Sequence, residues 1–133
     1  MIFLLDTHTF IWATLEPNKL GKKGKEAITN RSNEIYVSSV TFWEISLKTS
    51  LKKFSFKNVK VRDFPKYAQE MGFSLMDMQE NEAITFYELP RKENHSDPFD
   101  RMLIWQAITK NLTMISKDGL FEQYKEDGLK LLW

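Results

Sequence analysis

Short apolar segments alternate with longer segments of helical character along the chain, and this alternation limits the fold more than any other feature. The first apolar segment, residues 2–5, is uninterrupted, which is typical of a strand buried on both faces. Four further strands are predicted at 35–37, 73–76, 112–115 and 129–132. Helices are predicted at 7–15, 22–30, 40–51, 64–71, 80–88, 98–110 and 120–126. This order predicts an α/β fold with a mainly parallel sheet and helices on both faces.

Length and composition indicate a single domain that spans residues 1–133, with no repeat, linker or low-complexity segment. The chain has no cysteine, which excludes disulfides and thiolate metal ligands and suits a reducing cytoplasm. The N-terminus lacks the basic flank of a signal peptide, and no apolar run approaches the roughly 20 residues of a membrane span. We therefore expect a cytoplasmic protein with no membrane segment. The tryptophans of the predicted helices, Trp12, Trp43 and Trp105, are expected in the core.

The formal net charge is +1, so overall charge argues neither for nor against a nucleic-acid partner. Basic residues are nevertheless concentrated between positions 48 and 62, with two phenylalanines among them. This basic segment contains Lys48, Phe54 and Phe56 together with Lys52, Lys53, Lys57, Lys60 and Arg62. It is either a solvated helix end and loop or a basic rim that attracts phosphates. Apolar and polar residues alternate only weakly over residues 52–61, so this segment is either a loop or a short edge strand.

Asp6 and Asp118 each lie just beyond a predicted strand. Because binding sites of parallel sheets lie at the carboxyl ends of the strands, both carboxylates are expected at the functional edge of the sheet. Each also suits a structural role, Asp6 as the N-cap of the next helix and Asp118 in an Asp-Gly turn.

Glu44 shares one face of its predicted helix with Val40, Leu47 and Leu51, which places a carboxylate in an apolar stripe. A carboxylate without compensation is costly in such surroundings, and this favours a functional site. The structural alternative is an ion pair with Lys48, four residues further along the helix.

Asp97 and Asp100 lie at the start of the predicted helix 98–110. Asp97 precedes Pro98 and suits an N-cap, whereas Asp100 projects from the edge of the buried stripe of the helix. We therefore assign Asp97 mainly to the cap and Asp100 mainly to the site. Arg101 is expected to form a salt bridge with Asp97 or Asp100.

Several carboxylates that converge on one place are most simply compensated by a metal cation. Oxygen ligands favour a hard cation such as Mg²⁺ or Mn²⁺. His8 and His95 lie close to the acids in sequence, but neither has the spacing of a zinc signature, so neither is expected to bind the metal directly. The expected metal-binding residues are Asp6, Glu44, Asp100 and Asp118. Asp97 is expected to support these ligands without binding the metal directly.

Four segments occur in the order LLDTH, SSVTFWEIS, HSDPFDRMLIWQA and MISKDGLF. Together they resemble the PIN-domain family, in particular the VapC-type toxin ribonucleases with an HxDPFDR segment. The resemblance covers essentially the whole chain; each motif is weak alone, but the ordered set is specific. It implies a three-layer α/β/α fold and metal-dependent cleavage of RNA, with catalytic acids Asp6, Glu44, Asp100 and Asp118.

The same resemblance implies a homodimer and a cognate antitoxin from a type II toxin–antitoxin module. Small residues that are usual after the third acid are partly replaced here by Met102 and Trp105. This departure concerns dimer or antitoxin contacts more than the chemistry.

Two other interpretations remain open. A phospho-receiver would need an acceptor aspartate after a middle strand, and Asp77 is the only candidate. An aspartyl-phosphate phosphatase is disfavoured because His8 stands where its second aspartate is required. The other alternative is a non-catalytic module of the same fold that binds RNA or protein without cleavage.

Overall fold

The computed structural model describes residues 1–133 and contains five strands and six α-helices. Strands β1 to β5 span Ile2–Leu5, Glu34–Ser38, Ser74–Met76, Thr113–Ile115 and Lys130–Leu132. Helices α1 to α6 span Thr7–Leu15, Lys22–Thr29, Ser39–Ser50, Phe64–Glu70, Glu80–Thr85 and Pro98–Thr109. Four 3₁₀ helices span Pro17–Lys19, Val61–Asp63, Phe86–Glu88 and Gly119–Asp127.

The five strands form one sheet in the order β3-β2-β1-β4-β5, and every neighbouring pair is parallel. This confirms the predicted parallel sheet. The chain moves outward from β1 through β2 to β3 and then returns to the other side of β1 with β4. A topological switch point therefore lies between β1 and β4, where ligands of open α/β sheets bind.

Alternating strand residues pack on opposite faces of the sheet. Phe3 and Leu5 belong to one apolar cluster, which also contains Phe10 of α1 and Phe64 of α4. Leu4 belongs to a second cluster, which is formed largely by α6 and the 3₁₀ helix Gly119–Asp127. Since strand side chains alternate with a period of two, the central strands β1, β2 and β4 each contribute to both clusters. Helices thus cover both faces, and the predicted three-layer α/β/α fold is confirmed.

The structure differs from the sequence-based prediction in two helices. The helix predicted at 80–88 ends at Thr85 and continues as a 3₁₀ turn, and the one predicted at 120–126 is a 3₁₀ helix throughout. Of the two alternatives left open after Leu51, the structure has the loop, at residues 52–60. None of the helices is long and apolar enough to cross a membrane.

Trp43 is a correction to the predicted core. Its side chain lies on the outer face of α3 and is 60% exposed, with its ring 4.9 Å from that of Phe99. Trp12 and Trp105 are partly buried against the two apolar clusters.

Candidate active site

The carboxyl ends of β1 and β4 are joined directly by hydrogen bonds. The backbone N–H of Asp6 donates to the carbonyl oxygen of Ile115 at 3.4 Å, and the Thr9 hydroxyl donates to the same oxygen at 3.0 Å. These bonds bring the residues that follow the two strands, Asp6 and Ser116, to the switch point of the sheet.

Asp6 caps α1 and also faces the end of β4. Its Oδ1 accepts the Thr9 N–H at 2.9 Å, and its Oδ2 accepts the Ser116 hydroxyl at 2.6 Å. Only 5% of Asp6 is exposed, and burial raises its pKa above the ordinary value despite the opposing effect of these hydrogen bonds. The carboxylate of Asp6 is therefore both the N-cap of α1 and a group of the site.

Asp118 is exposed and connects to Asp6 through Ser116. The Ser116 hydroxyl oxygen accepts the Asp118 N–H at 3.1 Å, while Asp118 Oδ1 accepts the Leu120 N–H at 2.9 Å. One oxygen of Asp118 thus caps the following 3₁₀ helix, and Oδ2 has no hydrogen bond within the chain.

Asp97 caps α6, as predicted, because its Oδ1 accepts the Asp100 N–H at 2.9 Å. Asp100 is one turn further into the helix and surrounded by acids. Burial, followed by the charges of Asp97, Glu44, Asp6 and Asp118, raises the pKa of Asp100 from 3.8 to about 8. Donor atoms of Glu44 and Asp97, and separately of Asp118, lie within 4.8 Å of a carboxylate oxygen of Asp100.

Glu44 is only 1% exposed, so its predicted burial is confirmed. The reason given by the sequence pattern is wrong, however, because Leu47 and Leu51 of the supposed apolar stripe are exposed. Glu44 instead has two polar partners. Its Oε1 accepts the Thr7 hydroxyl at 2.5 Å, and its Oε2 forms a salt bridge with Lys48.

His95 lies in the site, although its sequence spacing does not predict a metal ligand. It is buried, and its Nδ1 lies 2.7 Å from the Tyr124 hydroxyl. Its Nε2 has no hydrogen-bond partner and lies 3.5 Å from Oδ2 of Asp100. Burial lowers the pKa of His95, which keeps the ring neutral at pH 7. The only sequence signal was its place two residues before Asp97 in HSDPFD.

Arg101 does not form the predicted salt bridge with Asp97 or Asp100. Its guanidinium points away from the acids and donates to the carbonyl oxygens of Leu89 and Pro90 at 2.8 and 3.1 Å. Arg101 therefore ties α6 to the segment that precedes the HSDPFD loop and takes no direct part in the site.

An open cleft of about 340 Å³ passes over the acids. Its lining combines three carboxylates with cationic and aromatic side chains, namely Asp6, Asp100, Asp118, His8, Trp12 and Lys117. Phe54 of the basic segment lies beside it, with its ring centroid 6.0 Å from that of His8. The lysines of this segment that follow Lys48 are all exposed, namely Lys52, Lys53, Lys57 and Lys60.

Two groups of donor atoms are close enough to hold a cation, and Asp100 is common to both. In each group the atoms lie within 4.8 Å of one another. The first group is His95, Asp100 and Asp118, and the second is Glu44, Asp97 and Asp100. Carboxylate oxygens, a buried imidazole nitrogen without a partner and a carboxyl group whose pKa is raised by burial and by neighbouring acids all fit a site for a divalent cation.

A parallel sheet with carboxylates at its switch point defines an α/β protein with a candidate metal-binding cleft. The chain belongs to the PIN domain family, whose sequence model matches residues 3–127. A search of the curated proteins gave no match.

Solved structures with the same fold cover nearly all of the chain. The chain is similar to one in the crystal structure of VapBC2 from Rickettsia felis bound to a DNA fragment from their promoter, with 19% identity, a TM-score of 0.70, and coverage of 100% of this chain and 99% of the other. DNA-bound VapBC from Salmonella typhimurium is 21% identical, with a TM-score of 0.69 and coverage of 99% of this chain and 97% of the other. FitAcB from Neisseria gonorrhoeae is 19% identical, with a TM-score of 0.64 and coverage of 100% of this chain and 97% of the other.

Proposed function

We propose that this protein is a metal-dependent endoribonuclease that hydrolyses RNA phosphodiesters with Mg²⁺ or Mn²⁺. The observation that carries the proposal is the convergence of Asp6, Asp100 and Asp118, from three separate parts of the chain, on one open cleft. Burial and the charges of the neighbouring acids raise the pKa of Asp100, and a divalent cation at the cleft would compensate both effects. Membership of the PIN domain family and the resemblance to VapC-type ribonucleases support the same activity.

In this proposal Asp6, Asp100 and Asp118 hold the cation at the cleft, with His95 behind Asp100 and with Glu44 and Asp97 on its other side. A divalent cation held there would polarise the phosphodiester and lower the pKa of a water molecule. Asp100 would bind it as the deprotonated carboxylate, because a metal ligand must be deprotonated.

The other side chains of the cleft suit a single-stranded nucleic acid. Lys117 is exposed at the cleft and lies 5.9 Å from the Trp12 ring, where its charge attracts the phosphate backbone. Trp12 and His8 present rings on which bases stack. The exposed lysines beside Phe54 extend this positive surface away from the acids, which agrees with a basic rim.

We further propose that the protein is the toxin of a type II module, with a cognate antitoxin as its partner, and that it acts in the cytoplasm as a homodimer. The support is the sequence resemblance together with fold neighbours that are VapBC and FitAcB assemblies. Co-expression with the product of the adjacent reading frame tests the antitoxin, which we expect to co-purify and to block cleavage. Light scattering tests the dimer, whose expected mass is twice that of the 15.8 kDa chain.

The activity is tested by incubation of the purified protein with total RNA in Mg²⁺, Mn²⁺ or a chelator, followed by mapping of the cleaved ends. We expect cleavage only with metal, and we expect Asp6→Asn and Asp100→Asn to abolish it while the circular dichroism spectrum stays that of the wild type. Loss of cleavage without loss of fold follows because Asn keeps the shape of Asp but removes its charge.

The matched control is Asp77→Asn, since Asp77 also follows a strand at the same edge of the sheet but is exposed and does not line the cleft. This variant is expected to cleave like the wild type. Cleavage that survives in the Asp6→Asn, Asp100→Asn double variant contradicts the proposal. Phosphorylation of Asp77 by a small phosphodonor supports the receiver interpretation instead, and metal binding without cleavage supports a non-catalytic module.

A further inference from the structure

The two donor groups of the site differ in one respect. The group of Glu44, Asp97 and Asp100 already contains a cation of the protein itself, because Lys48 forms a salt bridge with Glu44 and its Nζ lies 3.7 Å from Oδ2 of Asp97. No lysine or arginine makes an ion pair within the group of His95, Asp100 and Asp118.

The ammonium group of Lys48 contacts acids and aromatic rings. Besides the carboxylates of Glu44 and Asp97, the ring centroids of Phe54 and Phe99 lie 5.5 and 5.8 Å from Nζ. Only 21% of the Lys48 side chain is exposed. A buried ammonium is stable only when it is paired, and ring faces attract cations, so these surroundings fix Lys48 beside Glu44.

The open cleft is lined by acids of one donor group and not by Glu44 or Asp97 of the other. Its acidic residues are Asp6, Asp100 and Asp118. Entry of a divalent cation at Glu44 would require either displacement of Lys48 from these contacts or close contact between two like charges. In the other donor group, Asp100 and Asp118 line the open cleft, while His95 is buried outside its lining, with its unpartnered Nε2 3.5 Å from Oδ2 of Asp100.

We propose that Lys48 takes the place of a second metal ion, so that the site binds one divalent cation, on the side of His95, Asp100 and Asp118. The inference rests on the proposed function and specifies its metal stoichiometry. Glu44 and Asp97 then act by holding Lys48, and Lys48 supplies a fixed positive charge beside Asp100. Lys48 is in this sense a residue that determines how many metal ions the enzyme takes.

Isothermal titration with Mn²⁺ tests the stoichiometry. We expect one ion per chain for the wild type and two for Lys48→Met, which keeps an apolar side chain beside the rings and frees Glu44 and Asp97. The matched control is Lys66→Met, because Lys66 also pairs with a glutamate four residues away, but both side chains are largely exposed. It should bind one ion. Two ions in the wild type, or one ion in Lys48→Met, overturn the inference.

A second measurement uses the wild type alone and does not depend on the folding of a variant. Reductive methylation of lysines is followed by peptide mass mapping with and without saturating Mn²⁺. We expect the labelling of Lys48 to be unchanged by Mn²⁺ and far below that of Lys66. A severalfold rise of Lys48 labelling on Mn²⁺ addition means that the metal displaces it, and this overturns the inference. Absence of any Mn²⁺ binding by the wild type would instead refute the proposed metal-dependent function.

Discussion

His95 and Asp100 face each other inside the acidic site, with 3.5 Å between Nε2 of the histidine and Oδ2 of the aspartate. The Tyr124 hydroxyl fixes the ring from its other nitrogen at 2.7 Å, and burial lowers the pKa of His95. A neutral imidazole whose Nε2 has no hydrogen-bond partner is able to bond to the cation directly. Metal binding then depends on His95.

We therefore expect His95→Ala to weaken Mn²⁺ binding by about 10–100-fold, the usual effect of removing a group that orients or supplements metal ligands. Calorimetric titration measures the affinity. Ser96→Ala is the control, because Ser96 is exposed in the same loop and should leave the affinity as it is. Equal affinities for the wild type and His95→Ala would show that the histidine is only a packing residue.

Asp100 should make the metal-free protein less stable as the pH rises. Its pKa of about 8 in the folded state lies above the ordinary 3.8, so the folded chain keeps a proton that the unfolded chain releases. The stability conferred by that proton is complete below the unfolded pKa and is lost as the pH rises toward 8, at up to about 1.4 kcal/mol per pH unit. Urea unfolding in chelator between pH 6 and 9 measures this decrease.

Two comparisons identify Asp100 as the cause of that pH dependence. Asp100→Asn carries no proton equilibrium at this position and should show a flatter stability curve. Saturating Mn²⁺ should reverse the trend in the wild type, because the cation binds the deprotonated carboxylate. An equally steep decrease in Asp100→Asn would assign the effect to another acid.

Much of the fold was readable from the sequence because strands of a parallel sheet are buried on both faces and appear as apolar runs, as in residues 2–5. The 3₁₀ helix Gly119–Asp127 was predicted as an ordinary helix, since apolar spacing over nine residues does not distinguish the two hydrogen-bond patterns. Trp43 was placed in the core by residue type alone, whereas its position on the outer face depends on which side of α3 meets the sheet.

Two residues of the site were predictable because they follow strands of the parallel sheet. Asp6 and Asp118 follow strands that turn out to be neighbours, and the carboxyl ends of neighbouring parallel strands meet at one edge. Glu44 was selected by an apolar stripe that does not exist. The contact of His95 with Asp100 and those of Lys48 with acids and rings join loops and helices in space, and single-sequence spacing does not record such contacts.

Thr7 should control the orientation of Glu44. Its hydroxyl donates to Oε1 of Glu44 at 2.5 Å, while Lys48 pairs with the other carboxylate oxygen. We expect Thr7→Val, which preserves shape, to reduce RNA cleavage by about 10–100-fold and to lower the free energy of unfolding by about 1–3 kcal/mol. Thr29→Val is the control, since the Thr29 hydroxyl is exposed and bonds only to backbone carbonyls. Unchanged cleavage in Thr7→Val would remove Thr7 from the site.

Ser116 should set the pH at which Asp6 becomes available to a cation. Its hydroxyl donates to Asp6 Oδ2 at 2.6 Å, and this bond lowers the pKa of a carboxylate that burial raises. In Ser116→Ala the Asp6 pKa should rise further, so Mn²⁺ affinity should fall more at pH 6 than at pH 8, because a higher pKa makes a carboxylate ligand compete more with protons at the lower pH. Titrations at both pH values measure this difference, with Ser50→Ala, whose hydroxyl bonds an exposed backbone carbonyl, as the control. An equal loss of affinity at both pH values would mean that Ser116 acts only by positioning Asp6 and Asp118.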